Sequence, residues 1–486
     1  MKRVIHLLGK QNWCMRAYFA MALGAATAIA SPAQTFTTLA NFDGANGGGL
    51  GEAINMVLLQ GMDGDFYGTR YDGGANVNCD ANSGCGTVFK ITPGGTLTTL
   101  YSFCSQANCT DGSAPAAGLV QAIDGDFYGT TAQGGDKNYG TVFTMTPGGK
   151  LTTIYSFCSQ PNCTDGAGPF GLMQASNGYL YGITYAGGAN NDGTVFRITT
   201  GGKLTTLYNF CSQTNCADGG NPYGTLIQAT DGNLYGTTYA GGANSGGGTV
   251  FKITPAGALT TLCTVGGYLT GTLVQATDGN FYGTTAQAGT VFRMTPTGTL
   301  TTLAIVGGFP YAGLVQGSDQ NLYGTTYVGG ANNNSVCQGN GCGSIFEISL
   351  SEGTLTTPYN FCVQIDCTDG ALPLAGLAQA TNGKFYGTTV AGGADGDGTV
   401  FSLGMGLHPF VETRPTASKA GATVIILGNQ LTSATSVSFH GTAATFVVHS
   451  GALITATVPI GATSGKVEVV TPGATLSSNV PFRVLE

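Results

Sequence analysis

One block of sequence recurs along almost the whole chain, and this recurrence constrains the fold more than any other feature. Its first complete copy, GTVFKITPGGTLTTLYSF, begins at Gly86, and its last recognisable start is the GTVF at Gly398. Each copy follows a second block in which an aromatic residue or Leu precedes Tyr-Gly, as in Phe66-Tyr67-Gly68. Self-similarity at a regular period predicts an array of supersecondary units.

Each repeat contains four short runs that are rich in β-branched and aromatic residues. In the fourth repeat these runs lie at residues 224–229, 233–239, 248–254 and 258–263. Asp-Gly and Pro-x-Gly turn signals separate them, which is typical of antiparallel hairpins. Because four antiparallel strands make one propeller blade, the pattern predicts a β-propeller.

The order of the blocks predicts how the array ends. Seven Tyr-Gly blocks and seven GTVF-like blocks occur, but the first Leu-Thr-Thr-like strand, residues 35–42, precedes every Tyr-Gly block. The last GTVF block, residues 398–401, has no such strand after it. The N-terminal strand can therefore complete the last unit and remove two open sheet edges. The sequence predicts a seven-bladed β-propeller over residues 34–406, closed by its N-terminal strand.

The pattern changes from about His408 onwards. Runs such as ATVIILG, ATFVVHS and GKVEVVTPG are short strands at the spacing of a β-sandwich, and this region has no cysteine. We therefore expect an all-β chain that ends in an Ig-like β-sandwich over residues 416–486. Residues 407–415, which include Pro409 and Pro415, are the predicted linker.

The first residues are predicted to be a signal peptide, residues 1–33. A basic start precedes an apolar run at residues 17–30, and small residues follow it. Cleavage would remove four basic groups and leave 13 Lys and Arg against 25 Asp and Glu, a net charge of −12. Such a charge repels phosphate backbones and anionic lipids, so neither nucleic acid nor membrane insertion after cleavage is expected. We expect a monomer that is secreted or on the cell surface, with the periplasm as an open alternative.

The cysteines fall into close couples. They are Cys79/Cys85, Cys104/Cys109, Cys158/Cys163, Cys211/Cys216, Cys337/Cys342 and Cys362/Cys367. A disulfide needs Cα atoms about 4.4–6.8 Å apart, so each couple would have to close a tight loop. Cys-x4-Cys is also close to zinc-ligand spacing, but no His lies between Gln34 and Leu407, and exported thiols oxidise. The sequence favours six disulfides, with Cys263 as a buried thiol.

Long loops mark one side of the predicted propeller. The short Asp-Gly and Pro-Gly-Gly turns lie on one side, whereas the Gly-Gly-Ala-Asn loops and the cysteine couples lie on the other, where binding loops are expected. The fifth unit has minimal loops, which predicts a dip in the rim and a ligand groove. The candidate groove residues are Tyr268, Gln287, Phe309 and Tyr311. The alternative is that these aromatic side chains pack between blades.

Carboxylates are the candidates for catalysis and for metal binding. The pairs Asp63/Asp65 and Asp124/Asp126 could perform glycoside hydrolysis, but each pair flanks a turn Gly, and turn chemistry explains them. The ring has no His, which rules out a nucleophile–His–acid arrangement there. Asp395 and Asp397 lie in a Gly-rich loop and offer hard oxygen ligands for calcium. Further candidate ligands follow the cysteine couples: Asp111, Asp165, Asp218 and Asp369.

Two resemblances rest on these residues. GTVFKITPGGTLTTLYSF, with DGNLYGTTYAGGAN at residues 231–244, resembles the Gloeo/Verruco-type tandem repeat of bacterial choice-of-anchor exported proteins, over nearly all of residues 34–403. This resemblance implies a secreted or surface protein. The tail segments GATVIILG, ATVPIGA and GKVEVVTPG resemble an IPT/TIG immunoglobulin-like domain over about residues 415–486. That resemblance implies a spacer or adhesive module.

The function favoured by the sequence is that of an exported, non-enzymatic binding or scaffold protein. Its expected partner is an extracellular polysaccharide or a surface protein, held at the loop-bearing side of the propeller. A secreted carbohydrate-active hydrolase or lyase that uses ring carboxylates is one alternative, and a purely structural envelope protein is another. No cofactor is expected, and calcium remains open.

Overall fold

The structure is a computed structural model, and it describes residues 34–43, 56–77, 79, 84–243 and 247–485. The predicted signal peptide, residues 1–33, lies outside the described residues. The regular structure is almost entirely β, which confirms the all-β prediction. In the described part, the only helical elements are 3-10 turns at Ala107–Cys109, Pro161–Cys163, Thr214–Cys216, Ile365–Cys367 and Leu431–Ser433. None of them is long and apolar enough to cross a membrane.

Seven four-stranded antiparallel sheets form in the described residues up to Gly404. We number them sheets 1 to 7 in the order in which their Tyr-Gly strands occur. Sheet 1 contains β2 (Leu59–Gln60), β3 (Phe66–Arg70), β4 (Thr87–Ile91) and β5 (Leu97–Ser102). Sheet 2 contains β6 (Val120–Gln121), β7 (Phe127–Thr131), β8 (Thr141–Met145) and β9 (Leu151–Ser156). Sheet 3 contains β10 (Ala167–Gln174), β11 (Leu180–Ala186), β12 (Thr194–Ile198) and β13 (Leu204–Asn209).

The remaining four sheets of this part follow the same plan. Sheet 4 contains β14 (Gly220–Gln228), β15 (Leu234–Ala240), β16 (Gly248–Ile253) and β17 (Leu259–Val265). Sheet 5 contains β18 (Val274–Gln275), β19 (Phe281–Thr285), β20 (Thr290–Met294) and β21 (Leu300–Ile305). Sheet 6 contains β22 (Val315–Gln316), β23 (Leu322–Thr326), β24 (Ser344–Ile348) and β25 (Leu355–Asn360). Sheet 7 contains β26 (Ala378–Gln379), β27 (Phe385–Thr388), β28 (Thr399–Gly404) and the N-terminal β1 (Thr35–Asn41).

The N-terminal strand pairs with the last strand of the repeat region. β1 runs antiparallel to β28, with Phe36 opposite Leu403 and Ala40 opposite Val400. Phe36 also stacks on Tyr359 of sheet 6, with ring centroids 3.8 Å apart. The first described strand of the chain therefore supplies the fourth strand of sheet 7.

A glutamine at the end of each sheet's first strand links that sheet to its neighbour. In all seven cases its side-chain oxygen accepts a hydrogen bond, 2.8–3.1 Å long, from a main-chain N–H in a turn of another sheet. The donor and acceptor residues are Met62 and Gln121, Ile123 and Gln174, Ser176 and Gln228, Thr230 and Gln275, Thr277 and Gln316, Ser318 and Gln379, and Thr381 and Gln60. Each sheet thus donates to the next one, and sheet 7 donates to sheet 1.

The hydrophobic core lies mainly between neighbouring sheets. Tyr67 of sheet 1 packs against Phe127 of sheet 2 with ring centroids 4.2 Å apart, and Phe66 stacks on Tyr386 of sheet 7 at 4.0 Å. All four rings are 3% exposed or less. Burying a large apolar side chain stabilises a fold by about 1.5–3 kcal/mol, so these contacts stabilise the packing of each sheet against its neighbour.

The glycine after each Tyr makes room for an aromatic ring in the paired strand. Gly68 lies opposite Phe89 in the β3–β4 ladder. A Cβ atom at Gly68 would lie 2.5 Å from the Phe89 ring, and the same approach recurs at Gly129 beside Phe143. The regular spacing of Tyr-Gly and GTVF along the chain therefore reflects one packing contact, in which a phenylalanine ring packs over the glycine of the paired strand.

The C-terminal region forms separate β-sheets. One contains β29 (Glu412–Arg414), β31 (Thr423–Leu427), β35 (Leu453–Thr457) and β34 (Phe446–Val448). A second contains β33 (Thr442–Ala443), β32 (Ser436–Phe439), β36 (Val467–Val470) and β37 (Thr475–Ser477). A parallel pair joins β30 (Ala417–Lys419) to β38 (Arg483–Leu485).

The predicted linker is partly a strand. Within the range 407–415, β29 pairs with β31, and Phe410 and Val411 are buried. The C-terminal sheets therefore begin before residue 416, contrary to the sequence prediction. The prolines at 409 and 415 indicated a linker. The residues between them instead pair with β31 and are partly buried, so the C-terminal region begins among them.

Candidate ligand-binding cavity

Two positions of the repeat lie at the loop-bearing ends of the first and second strands. One is the residue that follows a Pro before or within the first strand, and the other follows the Gly-Thr-Thr-like segment of the second strand. In sheets 3, 4 and 6 both positions are aromatic. These residues are Phe170 and Tyr185, Tyr223 and Tyr239, and Tyr311 and Tyr327.

These side chains line one cavity of about 710 Å³. Residues from sheets 2 to 7 contribute to it, so the cavity lies where the sheets converge. Its remaining lining residues are Ala132, Gly168, Thr270, Leu374 and Val390. None of the described residues that line it is charged. We call it the aromatic cavity.

The aromatic rings form two continuous groups. In sheets 3 and 4, Phe170 lies 4.4 Å from Tyr223, and Tyr223 lies at 88° to Tyr185 at a centroid distance of 6.1 Å. Tyr311 and Tyr327 of sheet 6 meet edge to face at 5.7 Å. Edge-to-face contacts of this kind stabilise a pair of rings by about 0.5–1.5 kcal/mol beyond the area that they bury, so the rings of the wall support one another.

The phenol groups of Tyr239 and Tyr327 keep their protons at neutral pH. Burial raises the pKa of Tyr239, and the neighbouring hydroxyls of Tyr268, Tyr185 and Tyr311 act in the same direction. Burial also raises the pKa of Tyr327 beside Tyr311. The wall can therefore offer both ring faces and O–H donors to a ligand.

Three of the four predicted groove residues belong to this region. Tyr311 lines the cavity, and Tyr268 stacks on the lining residue Tyr239, with centroids 4.4 Å apart and planes 7° apart. Phe309 is 40% exposed and lies 5.9 Å from Tyr311. Gln287 is exposed in the turn between β19 and β20 and does not line the cavity.

The sequence interpretation missed five of the six lining aromatic residues. The groove was predicted at the minimal loops of the fifth unit, whereas the missed residues lie in sheets 3, 4 and 6. They are Phe170, Tyr185, Tyr223, Tyr239 and Tyr327. The sequence did contain a signal for the lining tyrosines of the second strands. Aligning the repeats at Gly-Thr-Thr shows Tyr at this position in four sheets and Ala or Val in the others.

The paired turn carboxylates have structural partners. Asp63 accepts a hydrogen bond from the Tyr67 hydroxyl at 2.8 Å, and Lys90 contacts both Asp63 and Asp65. Burial opposes ionisation, but the hydrogen bonds from Lys90 and Tyr67 hold the pKa of Asp63 below its usual value. Asp124 accepts the same bond from Tyr128. These carboxylates fasten turns and lie outside the aromatic cavity.

The acids that follow the cysteine couples are enclosed. Asp111 is fully buried and accepts hydrogen bonds from the Tyr101 hydroxyl, from the main chain and hydroxyl of Ser105, and from the Gln106 main chain. The other three are also fully buried, and each accepts a hydrogen bond from the hydroxyl of the corresponding tyrosine. They are Asp165, Asp218 and Asp369. Donors from the protein occupy these oxygens, so they fix the crossover loops instead of facing a calcium site.

The proposed calcium residues lie beside a cationic side chain. Asp395 is exposed, and the main-chain oxygen of Asp397 accepts a hydrogen bond from Arg70 Nη2 at 3.3 Å. In the part of the chain that the structure describes, every cluster of three or more metal-ligating side chains contains cysteine, and neither Asp belongs to one. Calcium binding at Asp395 and Asp397 stays a prediction.

Disulfides join all six predicted cysteine couples. Cys263 is a free thiol but is only partly buried, whereas the sequence predicted a buried one, and its Sγ lies 3.4 Å from Met294 Sδ. Burial raises the pKa of Cys263, which keeps this thiol protonated at neutral pH.

The fold and the cavity define a tandem-repeat β-sheet protein with a ligand-sized aromatic pocket and a separate C-terminal β domain. Family models agree with both parts. The Gloeobacter/Verrucomicrobia repeat matches residues 19–163, 158–336 and 288–425, and the IPT/TIG domain matches residues 411–484. The chain belongs to the Gloeobacter/Verrucomicrobia repeat family and carries a C-terminal IPT/TIG domain, as the sequence resemblances predicted.

Two solved structures are similar to this chain at low identity. A fungal alcohol oxidase of the AA5 family, in complex with copper, is similar with a TM-score of 0.51 and 12% identity, over 93% of this chain and 99% of that one. Virginiamycin B lyase from Staphylococcus aureus is similar with a TM-score of 0.49 and 16% identity, over 76% of this chain and 99% of that one. No curated protein matches the sequence.

Proposed function

We propose that sheets 1 to 7 are the blades of a closed seven-bladed β-propeller, and that the protein is an exported, non-enzymatic binding or scaffold protein. Its ligand is a neutral extracellular polysaccharide held in the aromatic cavity. The observation that carries the proposal is a cavity of about 710 Å³ whose described lining residues include six aromatic side chains from three sheets and no charged one.

The closed ring is supported by two contacts between the beginning and the end of the repeat region. β1 pairs with β28 in sheet 7, and the main-chain N–H of Thr381 donates to Gln60 of sheet 1. Closure leaves the repeat region without an open first or last sheet, and it gives the convergence point of the sheets a fixed shape. An aromatic wall at that point is then rigid enough to select a ligand.

The chemistry of the cavity supports a sugar ligand. Ligand sites of this kind measure about 300–1,000 Å³ and combine apolar walls with a few polar groups. The apolar faces of pyranose rings can stack on Tyr and Phe rings, while the phenol groups hydrogen-bond to sugar hydroxyls. None of the described residues that line the cavity carries a charge that would need a counter-charge on the ligand.

Export is supported by the six disulfides, which persist in oxidising compartments, and by the IPT/TIG domain. A hydrolase has no comparable support. The carboxylate pairs Asp63/Asp65 and Asp124/Asp126 fasten turns away from the cavity, whereas glycoside hydrolysis needs two carboxylates that flank the scissile bond.

The test is affinity electrophoresis of the mature protein through gels that contain neutral or acidic polysaccharides. We expect retardation by at least one neutral glycan. Replacing Tyr239→Ala together with Tyr311→Ala should weaken it by roughly tenfold or more, because two stacking surfaces are lost. Tyr179→Ala is the matched control, because this exposed Tyr lies in the turn between β10 and β11, outside the cavity.

Two outcomes would contradict the proposal. Release of reducing ends during incubation would make the protein an enzyme. Retardation by no glycan, or retardation that the double variant leaves unchanged, would remove the polysaccharide from the cavity and favour a surface protein as ligand.

A further inference from the structure

Two cysteine couples meet at the border of sheets 6 and 7. Cys337 and Cys342 lie in the loop between β23 and β24, and Cys362 and Cys367 lie in the crossover that follows β25. The four sulfur atoms lie within 4.8 Å of one another, and all but Cys362 are buried. Sequence reading treated each couple separately and did not predict this cluster.

The loop that carries the first couple is fastened to the crossover. The Nδ2 of Asn332 donates hydrogen bonds to the main-chain oxygens of Asn360 and Phe361. Ser344 pairs with Asn360 in the β24–β25 ladder, which sets the two loops side by side. These contacts between the two loops involve no sulfur atom, so they do not depend on the disulfides themselves.

A side-chain amide reaches from one couple to the other. Asn334 Nδ2 donates to Cys362 Sγ at 2.9 Å and to Cys367 Sγ at 2.6 Å. An N–H donor stabilises negative charge on sulfur, and such donors are typical of the groups that surround metal-bound thiolates. This contact is an observation independent of the cysteine cluster.

We propose that the protein has a second state, in which both disulfides are reduced and these four cysteines form a tetrathiolate site that binds Zn²⁺. A dithiol supplies two electrons and two protons to each disulfide and is itself oxidised to a disulfide, whereas a phosphine supplies the two electrons and becomes a phosphine oxide, with the oxygen and the protons coming from water. Either reductant gives four thiols. Zinc binding then releases four protons, and four Zn–S bonds form. The oxidised state carries two disulfides and no metal.

The spacing and the size of the cluster both suit zinc. The Cys-x4-Cys couples are separated by 19 residues, close to the spacing of four-cysteine zinc sites. Zn–S bonds of about 2.3 Å place tetrahedral sulfur atoms about 3.8 Å apart, which needs only small movements from a cluster within 4.8 Å. The lack of His in the ring does not matter for a site made of four thiolates.

The chain contains its own comparison. Cys158 and Cys163 form a couple of the same spacing, but they belong to none of the ligand clusters among the described residues. Cys79, Cys85 and Cys104 form a cluster of three. Asp192, Cys211 and Cys216 form another cluster of three. Replacing Cys79→Ser, Cys85→Ser, Cys211→Ser and Cys216→Ser therefore isolates the four-cysteine cluster for measurement.

The experiment titrates Co²⁺ into this fourfold Cys→Ser variant after reduction under argon. We expect thiolate-to-cobalt charge transfer and strong tetrahedral d–d absorption that saturate at one equivalent and disappear when Zn²⁺ is added. The further changes Cys337→Ser and Cys362→Ser should abolish the signal, whereas Cys158→Ser with Cys163→Ser should leave it unchanged.

A spectrum without thiolate ligation, or one that survives Cys337→Ser and Cys362→Ser, would overturn the proposal. If the reduced protein loses its near-UV circular dichroism, recovery is measured on adding Zn²⁺. Recovery that requires Cys337 and Cys362 supports the site, and absence of recovery refutes it. Glycan binding plays no part in this readout.

Discussion

The main-chain N–H of Thr381 donates a hydrogen bond to Oε1 of Gln60, 321 residues earlier in the chain, at 3.0 Å. The same bond joins Ser176 to Gln228, which are only 52 residues apart. One contact therefore recurs at every junction between sheets, and the junction between sheet 7 and sheet 1 does not differ from the others in kind. The propeller closure that we propose is a repetition of an existing contact.

This equivalence predicts the effect of Gln60→Ala. Removing the acceptor leaves a part-buried N–H without its partner, which should cost about 1–2 kcal/mol of stability. Gln228→Ala, at a junction inside the array, should cost at least as much, because Gln228 Nε2 also donates a hydrogen bond to the main-chain oxygen of Gly232. The urea midpoint of unfolding measures both. Loss of stability in Gln228→Ala with none in Gln60→Ala would mean that the ring is open in solution.

Arg70 crosses the same junction. Its guanidinium lies 4.1 Å from the centre of the Phe42 ring, and Nη2 donates to Asp397. Burial lowers the pKa of Arg70 to about 10, and the charges of Asp397 and Asp72 oppose this effect. The group therefore stays charged at neutral pH.

Arg70→Lys should lower stability by about 1 kcal/mol, because an ammonium group keeps the charge but cannot lie flat on Phe42. Arg197→Lys is the matched control, since Arg197 lies 5.1 Å over the exposed ring of Tyr179. We expect that change to stay within about 0.5 kcal/mol. Equal urea midpoints for the two variants would contradict a closing role for Arg70.

Tyr101 and Tyr155, which donate hydrogen bonds to the buried acids of the crossover loops, should make the protein less stable at alkaline pH. Burial raises the pKa of Tyr101 to about 12, and its hydrogen bond to Asp111 acts in the same direction. Burial and Asp165 do the same for Tyr155. Because tyrosine in the unfolded chain titrates near pH 10, the unfolded state binds fewer protons between about pH 10 and 12. The stabilising contribution is therefore complete below pH 10 and is lost as the pH rises to 12.

The double change Tyr101→Phe and Tyr155→Phe checks this assignment. It should lower stability at neutral pH by about 1 kcal/mol per site, because each Asp loses a donor. It should also make the fall above pH 10 shallower, measured as the urea midpoint against pH. An unchanged slope would show that these two phenols titrate normally.

The repeat made the architecture predictable, and particular residues show why. Turn signals and strand blocks depend on local sequence, so the pairing of residues 35–42 with β28 followed from counting blocks. The end of the repeat region was harder to place, because the prolines at 409 and 415 resemble a linker. Whether Glu412–Arg414 pairs with β31 depends on a partner strand farther along the chain.

The candidate site was less predictable because it is shared between sheets. Tyr239 and Tyr311 are far apart in sequence and meet around one cavity only after the sheets converge. The cysteine cluster has the same origin, since nothing in either couple indicates the other. Asp111 was misread for a simpler reason: its donors include Tyr101, ten residues away, which spacing alone does not reveal.

The glycine of each Tyr-Gly block gives the last prediction. A Cβ at Gly68 would lie 2.5 Å from Phe89 Cζ, so Gly68→Ala must displace a fully enclosed ring and should cost about 1–3 kcal/mol. Gly94→Ala is the control, because its Cβ would meet only Thr92 Oγ1, at 3.8 Å. Thermal unfolding of both variants measures the difference. If Gly68→Ala is as stable as Gly94→Ala, the phenylalanine ring does not lie over the strand, and the spacing of the two blocks has another cause.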